Sequence, residues 1–280
     1  MPTDQNSLNI VLSNGDKDKL KKTYAEVIGT IMSTALSVKI KNNDVIGNVV
    51  EGGTVEVRRF ATSLVKNYGT ARTNGKGDAL KNIPVKVVID KDKEIVEELQ
   101  YKDIQMYGVP NLIEKRKVNH VAAMQADLDK AYFLELVRAA QTISVTGSDV
   151  YDKVMNLIQQ AEKTVNDNVD GIDRNLFILT LAPAWYDALK KFMIAQPSPD
   201  NGGNIQTFNG IEVWAAPRQS VDAVLQVRGA VAQPVAVAPY YVEKINLSNA
   251  TAVELFYHYG TAAITPDLIW KAAMDSNISA

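Results

Sequence analysis

The sequence feature that most constrains the fold is a stretch without glycine or proline, NLIEKRKVNHVAAMQADLDKAYFLELVRAAQ, from Asn111 to Gln141. Its apolar side chains recur at helical spacing, at Val121, Met124, Leu128, Tyr132 and Leu136. This spacing predicts a single amphipathic helix, which at 1.5 Å per residue is about 45 Å long. Helices in compact domains average about 11 to 12 residues, so a helix of this length is expected to act as a strut.

The segments that flank the strut carry helix and turn signals. Pro110 marks the start of the strut, and Thr146-Gly147-Ser148-Asp149 predicts the cap of a second helix over about residues 149–166. The apolar run FILTL predicts a buried strand, and a helix is expected to begin at Pro183. In NGGNIQTFNGIEVWAAPR, Gly210 separates two short strands of a hairpin.

Two strand-like runs precede the strut. They are TVEVRRFATSLV, which follows Gly53, and IPVKVVIDKDKEIVEEL, which starts at Ile83. Their β-branched, partly alternating residues predict a long hairpin arm with a mobile tip. Before the arm, DKDKLKKTYAEVIGTIMSTAL predicts an amphipathic helix. Helices and strands therefore come in blocks, and this order predicts an α+β fold.

Composition excludes several classes of protein. The chain has no cysteine, which excludes disulfides, thiolate catalysis and cysteine-based zinc sites. A formal net charge of −2 argues against a general nucleic-acid or membrane binder. The N-terminus lacks the pattern of a secretory signal, and no apolar stretch reaches the length of a membrane span.

The segment YGTARTNGKGD, at residues 68–78, is the strongest candidate for a catalytic site, because it is similar to a phosphate-binding loop. That loop needs four residues between its glycines and a Ser or Thr after its Lys. Here five residues separate Gly69 from Gly75, and Gly77 follows Lys76. A nucleotide-binding enzyme that uses this loop is therefore the disfavoured alternative, and the tip of the arm is the preferred interpretation.

The other candidate sites also favour structural roles. His120 and His258 are the only histidines, and neither has a partner at a recognised ligand spacing. No G-x-S-x-G motif is present, so nothing supports a catalytic triad. We therefore predict no catalytic residue, no cofactor and no metal site.

A charge pattern along the arm does indicate a function. The residues from Val57 to Lys86 contain one acid, Asp78, whereas Asp90 to Glu98 is mainly acidic. Such an arm binds either a polyanion or an acidic surface on another copy of the chain, where charge complementarity sets orientation. We predict as inter-subunit contacts the basic residues Arg58, Arg59, Lys66, Arg72, Lys76 and Lys81, with Asp90, Asp92, Glu97 and Glu98 as acidic counterparts.

The order of these segments resembles the major capsid protein of tailed bacteriophages, which has the Hong Kong 97-type fold. GGTVEVRRFATSLVKNYGTAR and VKVVIDKDKEIVEELQYKDI are similar to the extended loop of that family, and the strut is similar to its spine helix. NLFILTLAPAWYDALKK and FNGIEVWAAP resemble the axial domain, and VELFYHYGTAAITPDLIW resembles the return to the peripheral domain.

The resemblance implies a division of the chain into five regions. Residues 1–50 are expected to form an N-terminal arm and helix, and residues 51–102 the extended, two-stranded loop. Residues 103–146 are expected to form the peripheral domain with the spine helix. Residues 147–240 then form the axial domain, and residues 241–280 return to the peripheral domain.

The resemblance also implies partners. The chain is expected to assemble with itself into hexamers and pentamers of an icosahedral virion shell around double-stranded DNA, contacted non-specifically, in the host cytoplasm. Portal and decoration proteins are further implied partners, and no membrane is. Only about fifteen residues precede the first helix, so either a separate scaffolding protein or an already removed segment is expected. An encapsulin-type compartment shell is the alternative within this fold, and no cross-link between a Lys and an Asn is predicted.

Overall fold

The computed structural model describes residues 35–46, 53–60, 82–100, 109–166, 169–197, 204–238, 241–244 and 250–273, with the single residues 26, 29, 30 and 102. The strut is confirmed as a helix, α2 (Val109–Ala139), within two residues of the predicted limits. Its predicted apolar side chains Met124, Leu128, Tyr132 and Leu136 are fully buried. Most of the first predicted helix lies outside the described residues, and its described residues 26, 29 and 30 are helical. A short helix, α1 (Leu36–Ile40), follows.

The predicted pairing of the two strand-like runs is confirmed. Strands β2 (Gly53–Phe60) and β3 (Asn82–Ile89) form an antiparallel ladder in which Phe60 pairs with Asn82. A short strand, β1 (Val45–Ile46), pairs with the other edge of β2. We call this three-stranded unit the arm root, because it carries residues 61–81 at its open end.

The second strand of the hairpin ends earlier than predicted. The ladder with β2 ends at Ile89, and after Asp90 the chain continues as β4 (Lys91–Gln100), which pairs over its whole length with β16 (Ala250–Tyr259). Residues 91–100 were predicted to belong to the arm together with residues 83–89, because period-two alternation gives the conformation of a strand but not its partner. Residues 91–100 therefore belong to a second sheet.

This second sheet packs on the strut. Strands β14 (Val235–Val237) and β15 (Tyr241–Lys244) pair with one edge of β16, and β4 pairs with the other. Met124 and Leu128 of α2 form a cluster with Leu255 and Tyr257 on one face of the sheet. We call this four-stranded unit the peripheral sheet.

The remaining strands form mainly a mixed seven-stranded sheet, the axial sheet. Its spatial order is β5-β18-β12-β8-β11-β10-β9, with β8 parallel to β11 and β5 parallel to β18. Its strands are β5 (Gln141–Ser144), β8 (Phe177–Leu181), β9 (Ile194–Pro197), β10 (Asn204–Phe208), β11 (Ile211–Ala215), β12 (Ala223–Val227) and β18 (Ile269–Ala273). Two small pairs complete the described strands: β6 (Val165–Asn166) with β7 (Val169–Asp170), and β13 (Val231–Ala232) with β17 (Ala262–Ala263).

Helices cover both faces of the axial sheet. Helices α3 (Val150–Glu162) and α4 (Pro183–Leu189) pack on one face, where Phe177 and Leu179 of β8 point. The C-terminal half of α2 packs on the other face, against Ile178. The predicted buried strand and the helix start at Pro183 are thus confirmed.

Local signals at α3 and at the β10–β11 hairpin are also confirmed. Asp149 caps α3, since its carboxylate accepts a hydrogen bond from the backbone N–H of Asp152 at 2.9 Å. The helix ends at Glu162, earlier than predicted. The turn between β10 and β11 consists of Asn209 and Gly210, with φ of 49° and 85°, which are the positive values that a two-residue hairpin turn requires.

A partly buried lysine gives the stability of the fold a dependence on pH. Burial lowers the pKa of Lys41 from 10.5 to about 8, and its Nζ donates a hydrogen bond to the backbone carbonyl of Gln233 at 2.9 Å. Between these two values the unfolded chain holds a proton that the folded chain has lost, so stability rises with pH in this window. The destabilisation that comes from burying the charged ammonium group is fully present below about pH 8 and is absent above about pH 10.5.

We expect Lys41→Met to remove this penalty, which is about 3 kcal/mol at neutral pH before the lost hydrogen bond is subtracted. The measurement is urea unfolding of both proteins at pH 7 and pH 10. The variant should be the more stable at pH 7, and the difference between the two proteins should shrink by about 2 kcal/mol at pH 10. A difference that does not change with pH would contradict this explanation.

Candidate functional site

The arm root has two different faces. Val55, Val57 and Val87 are buried against the body of the chain. Arg58 and Lys86 occupy alternate positions of the same strands, so they lie on the opposite face, and both are exposed. Of the predicted contact residues, Lys66, Arg72, Lys76 and Lys81 lie outside the described residues, as does the whole 68–78 loop. Their assignment stays a prediction.

Arg59 has a partner within the chain. Its guanidinium donates two hydrogen bonds, each of 2.6 Å, to the two carboxylate oxygens of Asp267. Asn166 donates a third to Asp267 at 3.0 Å. The side chains of Arg59 and Asp267 are only 13% and 25% exposed. Arg59 was predicted to contact a neighbouring subunit; in the structure its guanidinium is engaged within the chain, and its role between subunits stays a prediction.

Glu97 is likewise engaged within the chain, on the face of β4 that meets the strut. Arg116 donates two hydrogen bonds to its carboxylate, one of them from Nε to Oε2 at 2.8 Å. The Nε2 of His120 lies 2.9 Å from the same Oε2, and His120 is buried, in keeping with the structural role that the sequence favoured. The hydrogen bond from Arg116 is the main reason why the pKa of Glu97 is lowered.

We expect Glu97→Ala to destabilise the subunit by about 2 kcal/mol, because it leaves Arg116 and buried His120 without their carboxylate. A carboxyl with a lowered pKa stabilises the fold at neutral pH, and this stabilisation is lost as the pH falls through the folded-state pKa. The measurement is chemical unfolding at pH 7 and pH 3. Glu98→Ala, on the opposite face of the same strand, is the matched control and should change stability by less than about 0.5 kcal/mol.

The opposite face of the peripheral sheet carries two of the other predicted acids, Asp92 and Glu98. In β4 the even-numbered side chains alternate away from α2, and Asp92, Glu94 and Glu98 are exposed there. Val96 lies among them, is 50% exposed, and pairs across the sheet with Glu254 of β16. We call Asp92, Glu94, Glu98 and Glu254 the acidic face. Even positions 92–100 of β4 and 250–258 of β16 contain no Lys or Arg.

Strand β4 separates its charges between two faces, which the sequence pattern did not predict: the exposed acids lie at even positions and the lysines at odd positions. Lys91 and Lys93 occupy odd positions of β4, and Lys93 lies 3.7 Å from Asp127 of the strut. Asp90 is exposed between β3 and β4, with its carboxylate 3.0 Å from the Nζ of Lys91. Glu94 and Glu254 were not among the residues predicted from the sequence. Strand alternation would have added Glu94, but the pairing that adds Glu254 depends on a contact over about 160 residues.

Neither a metal site nor a membrane span is found in the part of the chain that the structure describes. No group of three or more His, Asp or Glu side chains there has the arrangement of a metal site. No helix among those residues has both the length and the apolar character needed to cross a bilayer.

The comparisons with known proteins give structural matches only. No protein-family model and no curated protein sequence matches the chain. A structure from Mycobacterium phage Che8 aligns over 85% of this chain and 91% of its own, with 17% identity and a TM-score of 0.63. The capsid structure of the cyanophage P-SCSP1u aligns over 84% and 88%, with 13% identity and a TM-score of 0.57.

A third match is not attributed to a phage. The crystal structure of a virus-like particle from Pyrococcus furiosus aligns over 91% of this chain and 98% of its own, with 10% identity and a TM-score of 0.58. Together these matches show that the chain has the fold of tailed-phage major capsid proteins. The resemblance and the α+β class predicted from the sequence are thereby confirmed.

Proposed function

We propose that this chain is a structural subunit, not an enzyme, and that it assembles with copies of itself into a closed capsid shell. The observation that carries the proposal is the shared fold: capsid structures align over more than four fifths of the chain. The fine organisation remains part of the proposal, namely the hexamers and pentamers of an icosahedral virion and the five regions of the chain, with β4 assigned to the peripheral sheet and β18 to the axial sheet.

Within this proposal, the basic face of one arm lies on the acidic face of a neighbouring copy. On the exposed side of the arm root, Arg58 and Lys86 outnumber one acid, Glu56, which is the ladder partner of Lys86. Lys66, Arg72, Lys76 and Lys81 add positive charge along the sequence. The acidic face offers four carboxylates and no Lys or Arg. Opposite charges set orientation and register more than affinity, and many copies of a weak contact add up to a stable shell.

The virus-like particle from Pyrococcus furiosus supports a second candidate within the same fold. In that alternative, the encapsulin-type shell named in the sequence analysis, the chain forms a compartment shell that holds a cargo protein instead of double-stranded DNA. The contents of the particle therefore separate the two candidates, since both predict the same kind of subunit contact.

Electron microscopy of the purified protein, combined with analysis of the particle contents, tests the proposal. The protein is expressed alone and then with scaffold, portal and decoration proteins added in turn. Closed particles that package double-stranded DNA support the virion subunit. Small uniform particles that contain a protein cargo support the compartment shell. A protein that stays monomeric with and without a scaffolding protein would contradict both.

A further inference from the structure

One short segment connects the two large sheets and follows the arm root along its length. Residues 260–268 leave β16 of the peripheral sheet and enter β18, which lies between β5 and β12 in the axial sheet. At its first residue, Gly260, a Cβ atom would lie 2.0 Å from the backbone carbonyl oxygen of Val88. Two backbones therefore touch at this point, and a side chain at position 260 would separate them.

The middle of this connector packs on the buried face of the arm. Ile264 is buried in one cluster with Val55 and Val57 of β2, and Ala262 packs against the same cluster. The strand period of two places Arg59 on the same face as those valines. Arg59 is therefore directed at the end of the connector, where it meets Asp267.

The contact between Arg59 and Asp267 is a well-formed ion pair with little exposure to water. Two parallel hydrogen bonds of 2.6 Å fix both the distance and the angle between the two groups, which a single contact would not do. Asn166 of β6 donates a hydrogen bond to the same carboxylate. The pair also lies close to the described end of β2, because the ladder of the arm ends one residue further on, at Phe60 and Asn82.

We propose that Arg59 and Asp267 are positioning residues that fix the direction of the arm relative to the axial sheet. This inference rests on the proposed function, in which the arm is an assembly element. With the pair intact, the arm root and the axial sheet move as one body. Without it, β2 is held by the contact at Gly260 and by the valine cluster, which reaches Val57, and the described end of the arm root at Phe60 and Asn82 samples a wider range of directions.

The test measures arm direction in the unassembled subunit. Because the chain has no cysteine, spin labels can be placed at N82C, at the described end of the arm, and D187C, exposed on α4. Pulsed electron paramagnetic resonance then gives the distribution of distances between the labels. We expect Asp267→Asn to widen this distribution about twofold relative to the unsubstituted chain. Arg58→Gln, the adjacent residue on the opposite face, should leave it unchanged.

Exchanging the two charges provides the decisive variant. R59D combined with D267R should restore the narrow distribution, whereas R59D alone should not. Circular dichroism melting of each variant shows that the compared proteins are folded. Equal widths for Asp267→Asn and the unsubstituted chain would overturn the inference. The distance measurement needs no shell, so a subunit with a fixed arm that never assembles would contradict the proposed function and leave this inference standing.

Discussion

Replacing residues 61–81 with an Asn-Gly turn is expected to abolish shell formation and to leave the subunit folded. Phe60 and Asn82 are direct partners in the ladder, so a two-residue turn closes the hairpin without a change of register. Such a turn keeps β2, β3 and the valine cluster, and removes the segment proposed to reach a neighbour. We expect a melting temperature within about 5 °C of the full-length subunit, and no closed particles in electron micrographs.

A second variant separates the length of the arm from its charge. Lys66, Arg72, Lys76 and Lys81 are replaced together by Gln in a chain of full length. If charge directs the arm, this variant should assemble slowly or at a higher protein concentration, whereas the shortened chain should not assemble at all. Normal shells from the shortened chain would exclude the arm as an assembly element.

Reversing the acidic face is expected to have an effect of similar size. The triple substitution Asp92→Lys, Glu94→Lys and Glu98→Lys places positive charge opposite the basic arm. Like charges across an interface cost several kcal/mol, so the yield of shells should fall by at least about tenfold. All three side chains are exposed, so the stability of the isolated subunit should change little.

The control for this reversal has the same change in net charge. Asp170, Asp173 and Asp187 are exposed acids away from the peripheral sheet, and their replacement by Lys should leave shell formation intact. Adding Arg58→Glu and Lys86→Glu to the acidic-face variant should recover part of the lost yield. Equal losses in the control and the acidic-face variant would show that net charge, and not this surface, governs assembly.

The sequence predicted elements whose signals are local. The start of the strut at Pro110, the cap at Asp149 and the turn at Gly210 each depend on residues a few positions apart, and each is confirmed. The buried strand FILTL was also predictable, because a short apolar run before a proline has few alternatives.

The remaining features depend on contacts between distant parts of the chain. Neither the change of partner at Asp90 nor the position of Glu254 beside Val96 is encoded in neighbouring residues. The same is true of Arg59 and Asp267, which are 208 residues apart. Charge alone selected Glu97 and Glu98 together and could not separate Glu97, which faces the strut, from Glu98, which faces away.

Helix α2 has a consequence for how the subunit unfolds. Met124 and Leu128 belong to the cluster beneath the peripheral sheet, and Tyr132 and Leu136 belong to the cluster beneath the axial sheet. Melting of either cluster removes packing from the same continuous helix, so the two sheets are expected to unfold in one cooperative transition. Calorimetry should then give equal calorimetric and van't Hoff enthalpies. A shell of such subunits would fail under heat by losing whole subunits, and not by the loosening of one sheet in each.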